Sequence, residues 1–389
     1  MAVDLTHAVE EFTKWYAGKP ALGARAPGRV NIIGEHTDYN HGFVLPMAIE
    51  REALILARPR VDETLNGYAV NLRDTATASV QDRIRQPDHP WMDYLLGVVD
   101  EVARLGYNVP GLDVMVWGDV PLGSGLSSSA ALEMATLRLL EDLLGLSLPD
   151  AEAAALGQRV ENRYLGVNSG IMDQFISRAG RANHALFLDC RTLVGQLIPV
   201  AFENALFVIA DTGVSRGLAA SAYNARVDEC RQAVSFLTAH TGRKATHLRD
   251  FTSAELRAAE PGMPEVIARR ARHVLTEDER TEEAAEALRA GDPETLGALM
   301  NASDASLRVD YEVTCPELDT MTDLARAIPG CYGSRMTGAG FGGCTVHLVE
   351  ARRAHEFETN LVREYGASTG RRASCIISRP AEGARGIHQ

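Results

Sequence analysis

The sequence predicts an α+β fold in two domains, and three observations carry that prediction. First, residues 112–117 (Leu112-Asp113-Val114-Met115-Val116-Trp117) alternate like a strand and residues 130–144 have helical spacing and good helix formers. Between them lies a glycine- and serine-rich loop, Pro121-Leu122-Gly123-Ser124-Gly125-Leu126-Ser127-Ser128-Ser129-Ala130-Ala131. Second, from about residue 245 to 327 the chain turns helical and rich in Ala, Glu and Arg, a shift that marks another domain. Third, a second glycine-rich loop follows at 333–343 and leads into strand, helix and strand. With 389 residues, 46% hydrophobic and 23% charged, the chain is long enough for two cores. The expected division is 1–190, holding the first glycine loop, and 191–389.

In chain order, residues 4–18 read as a helix with Val9, Phe12, Trp15 and Tyr16 on one face. Residues 25–42 hold a polar turn between apolar flanks that read as strands. That turn is either a solvated hairpin loop or a recognition site. Arg29, Glu35, His36 and Asp38 combine a guanidinium, an imidazole and two carboxylates, a set suited to a polyol's hydroxyls. Residues 52–58 and 67–72 are further strands. A helix opens at Pro90 with Trp91 and Tyr94 at i and i+3, which pack in a core or stack on a flat ring such as adenine. Residues 151–164 form a helix with Glu161 near its end. In Asn168-Ser169-Gly170-Ile171-Met172-Asp173-Gln174-Phe175, the carboxylate of Asp173 stands among apolar neighbours, and a helix-start cap is the simpler reading. Strands at 185–189 and 206–211 precede a helix over 215–238 that carries Tyr223 and Arg226. Helix starts are expected at Asp250, Thr252-Ser253, Thr281-Glu282-Glu283 and Asp292-Pro293-Glu294. The loop Gly333-Ser334-Arg335-Met336-Thr337-Gly338-Ala339-Gly340-Phe341-Gly342-Gly343 then leads to a strand at 344–349, a helix at 351–365 and a last strand at 373–377.

A glycine-rich turn into a helix N-terminus exposes unpaired N–H groups at the positive end of the helix dipole, which favours an anion, most simply phosphate. The alternative is a flexible turn with a serine cap. The chain has only three lysines, Lys14, Lys19 and Lys244, and none adjoins a glycine loop. That excludes a Walker A loop and the protein-kinase arrangement. If the loop holds ATP, backbone amides, serine hydroxyls and a metal must do the work. A net charge of -13, with no long Lys/Arg run, argues against nucleic acid. The densest basic cluster, Arg269-Arg270-Ala271-Arg272, is followed by acidic residues and reads as a solvated helix. Six scattered cysteines, with no zinc-type spacing, read as reduced thiols in a cytoplasmic protein. No apolar run approaches membrane-spanning length.

Three motifs in this order resemble the GHMP small-molecule kinases: residues 25–40, 121–131 and 333–343. The first, Gly28-Arg29-Val30-Asn31-Ile32-Ile33-Gly34-Glu35-His36-Thr37-Asp38-Tyr39-Asn40, is similar to the galactokinase signature, and Gly170-Ile171-Met172-Asp173-Gln174-Phe175 is galactokinase-like too. The resemblance runs to about residue 385. It implies an N-terminal ribosomal-protein-S5-like domain, a C-terminal ferredoxin-like domain and an active site in the cleft. It implies galactose and ATP as substrates, Mg²⁺ as cofactor and a monomer. At matching positions it implies Arg29 and Asp173 as the catalytic pair, overriding the cap reading of Asp173. Glu35, His36, Asp38, Gly170 and Tyr223 would contact galactose. Gly123-Ser124-Gly125-Leu126-Ser127-Ser128-Ser129-Ala130 would wrap the phosphates, Trp91 and Tyr94 would border the adenine, and Ser129 and Glu161 would hold the metal. Relatives that phosphorylate N-acetylgalactosamine or arabinose, and non-catalytic galactose sensors, are the alternatives. Thr37 and Asn40 argue against the former, and the intact Ser129-Ala130 against the latter.

Overall fold

The computed structural model describes residues 4–214 and 219–387. Helix α1 (Leu5–Tyr16) starts at Asp4, whose carboxylate accepts the Thr6 N–H, and stops where Ala17 turns left-handed, two residues short of the expected end. It buries Ala8 and Phe12 against the sheet behind it. The strands β1 (Leu22–Asn31), β2 (Phe43–Val44), β3 (Pro46–Pro59), β4 (Thr64–Ala69) and β5 (Asp74–Ser79) follow. Then come α2 (Pro90–Arg104), β6 (Leu112–Gly118) and α3 (Ser128–Leu144). In β3 the sequence suggests two runs, but one strand of 14 residues forms. Its polar centre is held by tertiary partners: Asp119 accepts from the Glu52 N–H at 2.7 Å and from Arg51 Nη1 at 3.0 Å.

Helix α4 (Asp150–Arg159) widens into a π-type turn over Val160–Leu165, and α5 (Met172–Ala179), β7 (His184–Asp189) and β8 (Val194–Pro199) complete this half. Chain order continues with β9 (Ala205–Asp211), α6 (Ala219–Thr241), α7 (Ser253–Ala259), α8 (Glu265–Ala290), α9 (Pro293–Ser306) and α10 (Pro316–Ala327). It ends with β10 (Cys331–Met336), β11 (Cys344–Glu350), α11 (Ala354–Thr369), β12 (Ser374–Ser378) and β13 (Arg385–Ile387). The strands sort into three sheets: β13-β1-β3-β6-β4-β5, β2-β7-β8 and β10-β11-β9-β12. Every neighbouring pair is antiparallel except β4 and β6. The main core fills the space between the six-stranded sheet and α2, α3 and α4, while α10 and α11 cover the four-stranded sheet.

The division expected at residue 190 falls inside the β7–β8 hairpin, where Asp189 pairs with Val194. The last strand, β13, returns to pair with β1. The first body therefore runs through β8 and takes back the chain's end. Four smaller expectations also need correction. Thr281-Glu282-Glu283 is not a helix start but lies within α8, where the Thr281 hydroxyl donates to Glu277 O at 2.7 Å. Gly333 to Met336 is strand β10, paired with β11, so the loop begins only at Thr337. Asp250 closes a 3-10 turn (Leu248–Asp250) instead of opening a helix. The expected start of the 215–238 helix falls outside the described residues, and α6 runs on to Thr241. Among the described residues no helix is long and apolar enough to cross a membrane.

Candidate active site

Gly28 brings the first motif against the first glycine-rich loop. A Cβ there would stand 2.5 Å from Leu126 O, so only glycine lets β1 pass this close. The next amide, Arg29 N–H, donates to that same Leu126 O at 3.0 Å. The Arg29 side chain is 4% exposed and meets Asp173 as a fork: Nε to Oδ1 and Nη2 to Oδ2, each 2.8 Å. Its Nη1 donates to Gly125 O at 2.5 Å. Burial acts to lower the Arg29 pKa, but Asp173 and then Glu35 outweigh it and hold the charge in place. Asp173 stands in the first turn of α5, one residue beyond its start, and caps nothing; Ile171 holds the cap position. Its second oxygen also accepts from Ser127 Oγ of the first glycine-rich loop. One carboxylate thus ties together the guanidinium, the loop and the cavity beside them.

That cavity encloses about 260 Å³. Both expected catalytic residues and all five expected sugar contacts line it. Glu35, 1% exposed, accepts from Asn31 Nδ2, the Gly338 N–H and, at 3.2 Å, the Thr337 hydroxyl, with Arg335 Nη1 3.7 Å away. Burial still raises its pKa. A carboxylate has about four lone-pair sites, so acceptor capacity is left for one more donor. Asp38 is pushed up to about 7, by burial first and by the nearby Asp173 second. Gly170 is where the chain must pass Asp38: a Cβ there would lie 1.6 Å from Asp38 Oδ2. The Tyr223 ring, brought in by α6, lies 5.5 Å from the His36 ring, and burial pushes its hydroxyl pKa up.

On the other side of Arg29, Gly123 and Gly125 take positive φ of 71° and 84°. Ser127 is left-handed at the start of α3 and makes no side-chain cap bond, so the first helical N–H groups point to the loop's mouth. Ser124 Oγ turns back to Pro121 O at 2.8 Å. Leu126 and Ala130 are buried and offer a ligand only backbone. Ser128 and Trp91 line a smaller apolar cleft of about 100 Å³, bordered by Leu72, Val116 and Leu122. Asp74 fixes the Trp91 ring by accepting from Nε1 at 2.7 Å. Tyr94 does not line that cleft; burial and Glu161 push its hydroxyl up to about 12. Ser129 Oγ donates to Glu161 Oε1 at 3.3 Å, and Glu161 itself faces the larger cavity. Burial raises the Glu161 pKa, and the charge of Asp173 adds to it.

Sequence reasoning missed Ser169, Asn224 and Ala339, which also line the cavity. The second glycine loop was visible, but nothing in its spacing said that Gly338 and Ala339 would fold against Glu35 and His36. Asn224 adjoins Tyr223 in the chain, the only signal for it.

Comparison with known proteins agrees with this geometry. Residues 10–59 match the galactokinase galactose-binding signature, 93–181 the N-terminal domain of GHMP kinases and 284–368 their C-terminal domain. A galactokinase of Roseiflexus sp. (strain RS-1) is 45% identical over 375 residues, covering 96% of this chain and 95% of that one. The galactokinase of Chloroflexus aurantiacus is 44% identical over 374 residues, 96% of this chain and 95% of its own. The structure of Lactococcus lactis galactokinase complexed with galactose superposes at a TM-score of 0.94 and 36% identity, covering 98% and 100% of the two chains. Methanococcus jannaschii mevalonate kinase, at 17% identity and a TM-score of 0.62 over 92% of this chain and 98% of its own, shares the fold. With these matches spanning both bodies and the first motif, the chain belongs to the galactokinase family of the GHMP kinases.

Proposed function

We propose that this chain transfers the γ-phosphoryl group of ATP to the C1 hydroxyl of α-D-galactose, giving galactose 1-phosphate and ADP. ATP-dependent phosphorylation of galactose follows from the family; the site of transfer and the residue roles are our reading. The observation that carries it is the position of Asp173, which accepts from Ser127 of the phosphate loop and lines the sugar cavity. A hydroxyl beside Asp173 is thereby next to a phosphate held by the loop. Phosphoryl transfer asks chiefly for in-line positioning and charge stabilisation. Asp173 accepts the hydroxyl proton, or orients it, as the nucleophile forms its bond. Arg29 holds and orients the Asp173 carboxylate by its two-pronged contact and, through its remaining N–H groups, stabilises charge on the transferred group. Glu35, His36, Asp38, Gly170 and Tyr223 hold the sugar.

Ser129 and Glu161 supply the hard oxygen ligands that Mg²⁺ takes, and among the described residues no arginine or lysine is paired with Glu161. A cation there would neutralise phosphate charge. Adenine fits the apolar cleft against Trp91. We place the reaction in the cytoplasm on the scattered cysteines of the sequence, which lack paired spacing, and assign it to a monomer on the family resemblance alone. The test is ADP release measured with galactose, N-acetylgalactosamine and arabinose in turn. Galactose should be turned over at least tenfold more efficiently than the others, as expected of a site that hydrogen-bonds specific hydroxyls. Preference for another sugar, or no ADP release with any, would overturn the reading.

A further inference from the structure

Behind His36 lies a chain of buried hydrogen bonds that the reaction does not obviously need. His36 Nε2 is 3.2 Å from Ala339 O, and Nδ1 is 2.8 Å from the Tyr39 hydroxyl. That hydroxyl is 2.7 Å from the Tyr311 hydroxyl, which is 3.2 Å from Cys230 Sγ. Asn40 Nδ2 closes the ring, 3.6 Å from the Cys230 sulfur and 2.9 Å from His36 O. His36, Asn40, Cys230 and Tyr311 are all buried. Ala339 lines the sugar cavity together with His36, whereas Tyr39 and Tyr311 do not reach it.

One direction for the protons satisfies both ends of this chain. A carbonyl oxygen can only accept, so the His36 proton sits on Nε2. Burial pushes the ring pKa down to about 3, so the ring is neutral and Nδ1 carries a lone pair. Tyr39 must then donate to Nδ1, Tyr311 to Tyr39, and Cys230 to Tyr311. At the far end the Asn40 amide nitrogen can only donate, so the sulfur accepts. The opposite polarity would aim an imidazole lone pair at the Ala339 carbonyl and leave two donors competing for the sulfur. Both ends therefore select the same direction.

We propose that Tyr39, Tyr311 and Cys230 are positioning residues for sugar recognition, holding His36 as the Nε2–H tautomer, whose proton rests on Ala339 O at the cavity edge and is shared with a ligand oxygen that binds beside it. A sugar oxygen meeting this edge is recognised through its lone pair, and the opposite tautomer is excluded by groups that never touch the sugar. This rests on galactose being the ligand of the cavity.

Two measurements test it. Nitrogen-15 NMR of histidine-labelled protein, with His36 assigned by the loss of its signals in His36→Asn, reads the tautomer directly. A protonated Nε2 and an unprotonated, hydrogen-bonded Nδ1 are expected in the sugar-free enzyme at neutral pH. A protonated Nδ1 overturns the proposal without any variant having to fold. Tyr39→Phe and Tyr311→Phe remove the donors. Each should raise the galactose KM on the order of tenfold, the worth of a buried hydrogen bond, while kcat and the ATP KM stay within about twofold. Unchanged galactose KM in both variants, or kcat and both KM values falling together, refutes the positioning role. Failure of the galactose reading itself is distinct: the wild-type enzyme would release no ADP with galactose, and the tautomer measurement would still decide the relay.

Discussion

Replacing Asp173 by Asn removes one charge and little else, which makes it the sharpest perturbation of the proposed chemistry. In the wild type, Asp173 accepts from Arg29 Nε, Arg29 Nη2 and Ser127 Oγ. The amide of Asn keeps one acceptor and turns an NH₂ toward a neighbouring donor, so at least one of the three bonds is lost. Arg29 is left buried without its main counter-ion but keeps Gly125 O and the fields of Glu35 and Asp38. The folding cost is therefore nearer the loss of a charged hydrogen bond, about 1.5–3 kcal/mol, than the full breaking of a buried pair. Galactose still has its other contacts, so its Kd by calorimetry should stay within a few-fold. Turnover loses both the proton acceptor and its orientation. Acid–base help of this kind is worth ~10²–10⁴ in rate, or about 2.7–5.4 kcal/mol of barrier. The assay is steady-state ADP release at saturating sugar and nucleotide, paired with thermal unfolding to check the fold. Arg29→Lys should lose rate as well, because an ammonium cannot make the two-pronged contact. Near-normal turnover by the Asn variant would refute the argument and leave positioning by the loop and cavity as the whole mechanism.

Gly170→Ala should raise the galactose KM at least tenfold, since the added Cβ would fall 1.6 Å from Asp38 Oδ2 and displace that carboxylate; unchanged sugar affinity would show that Asp38 is not held there for recognition. Glu161→Gln should shift the Mg²⁺ needed for half-maximal rate upward by tenfold or more, read from a metal titration of turnover, whereas an identical titration would make Glu161 a bystander. Asp278 of α8 accepts the Phe43 N–H at 2.8 Å, and burial pushes its pKa up to about 7. Its folded form thus holds a proton that the unfolded chain, with a pKa near 3.9, has released. The sign follows: stability from this group is full below about pH 4 and is lost as pH rises to about 7. Asp278→Asn should flatten that decline and melt higher than wild type at pH 8, with the difference vanishing near pH 4; a gap that does not depend on pH would mean that Asp278 is not the group titrating.

Much of the site was legible in the chain itself because its signals are local. The loop between β6 and α3 declares itself by glycines and serines between a strand and a helix, and the lack of lysine there already demanded amides and a metal in place of a charged side chain. The polar run from Arg29 to Asn40 declares itself by chemistry that no plain hairpin needs. Tertiary structure alone decided what depends on distant partners. Asp173 reads as a cap by its neighbours and becomes the partner of Arg29 only because α5 packs against β1, 144 residues away. Glu50 and Arg51 look like a break before the strand expected at 52, yet Asp119 grips Arg51 and Glu52 and β3 runs through them without interruption. β8 was invisible because most of its side chains face solvent, so it has no apolar alternation; its existence rests on pairing with β7. The relay behind His36 joins β1's loop, α6 and the turn after α9, segments up to 272 residues apart. Periodicity and propensity report what a residue does to its own stretch of backbone; a buried hydrogen bond is made by two stretches, and only the fold says which two.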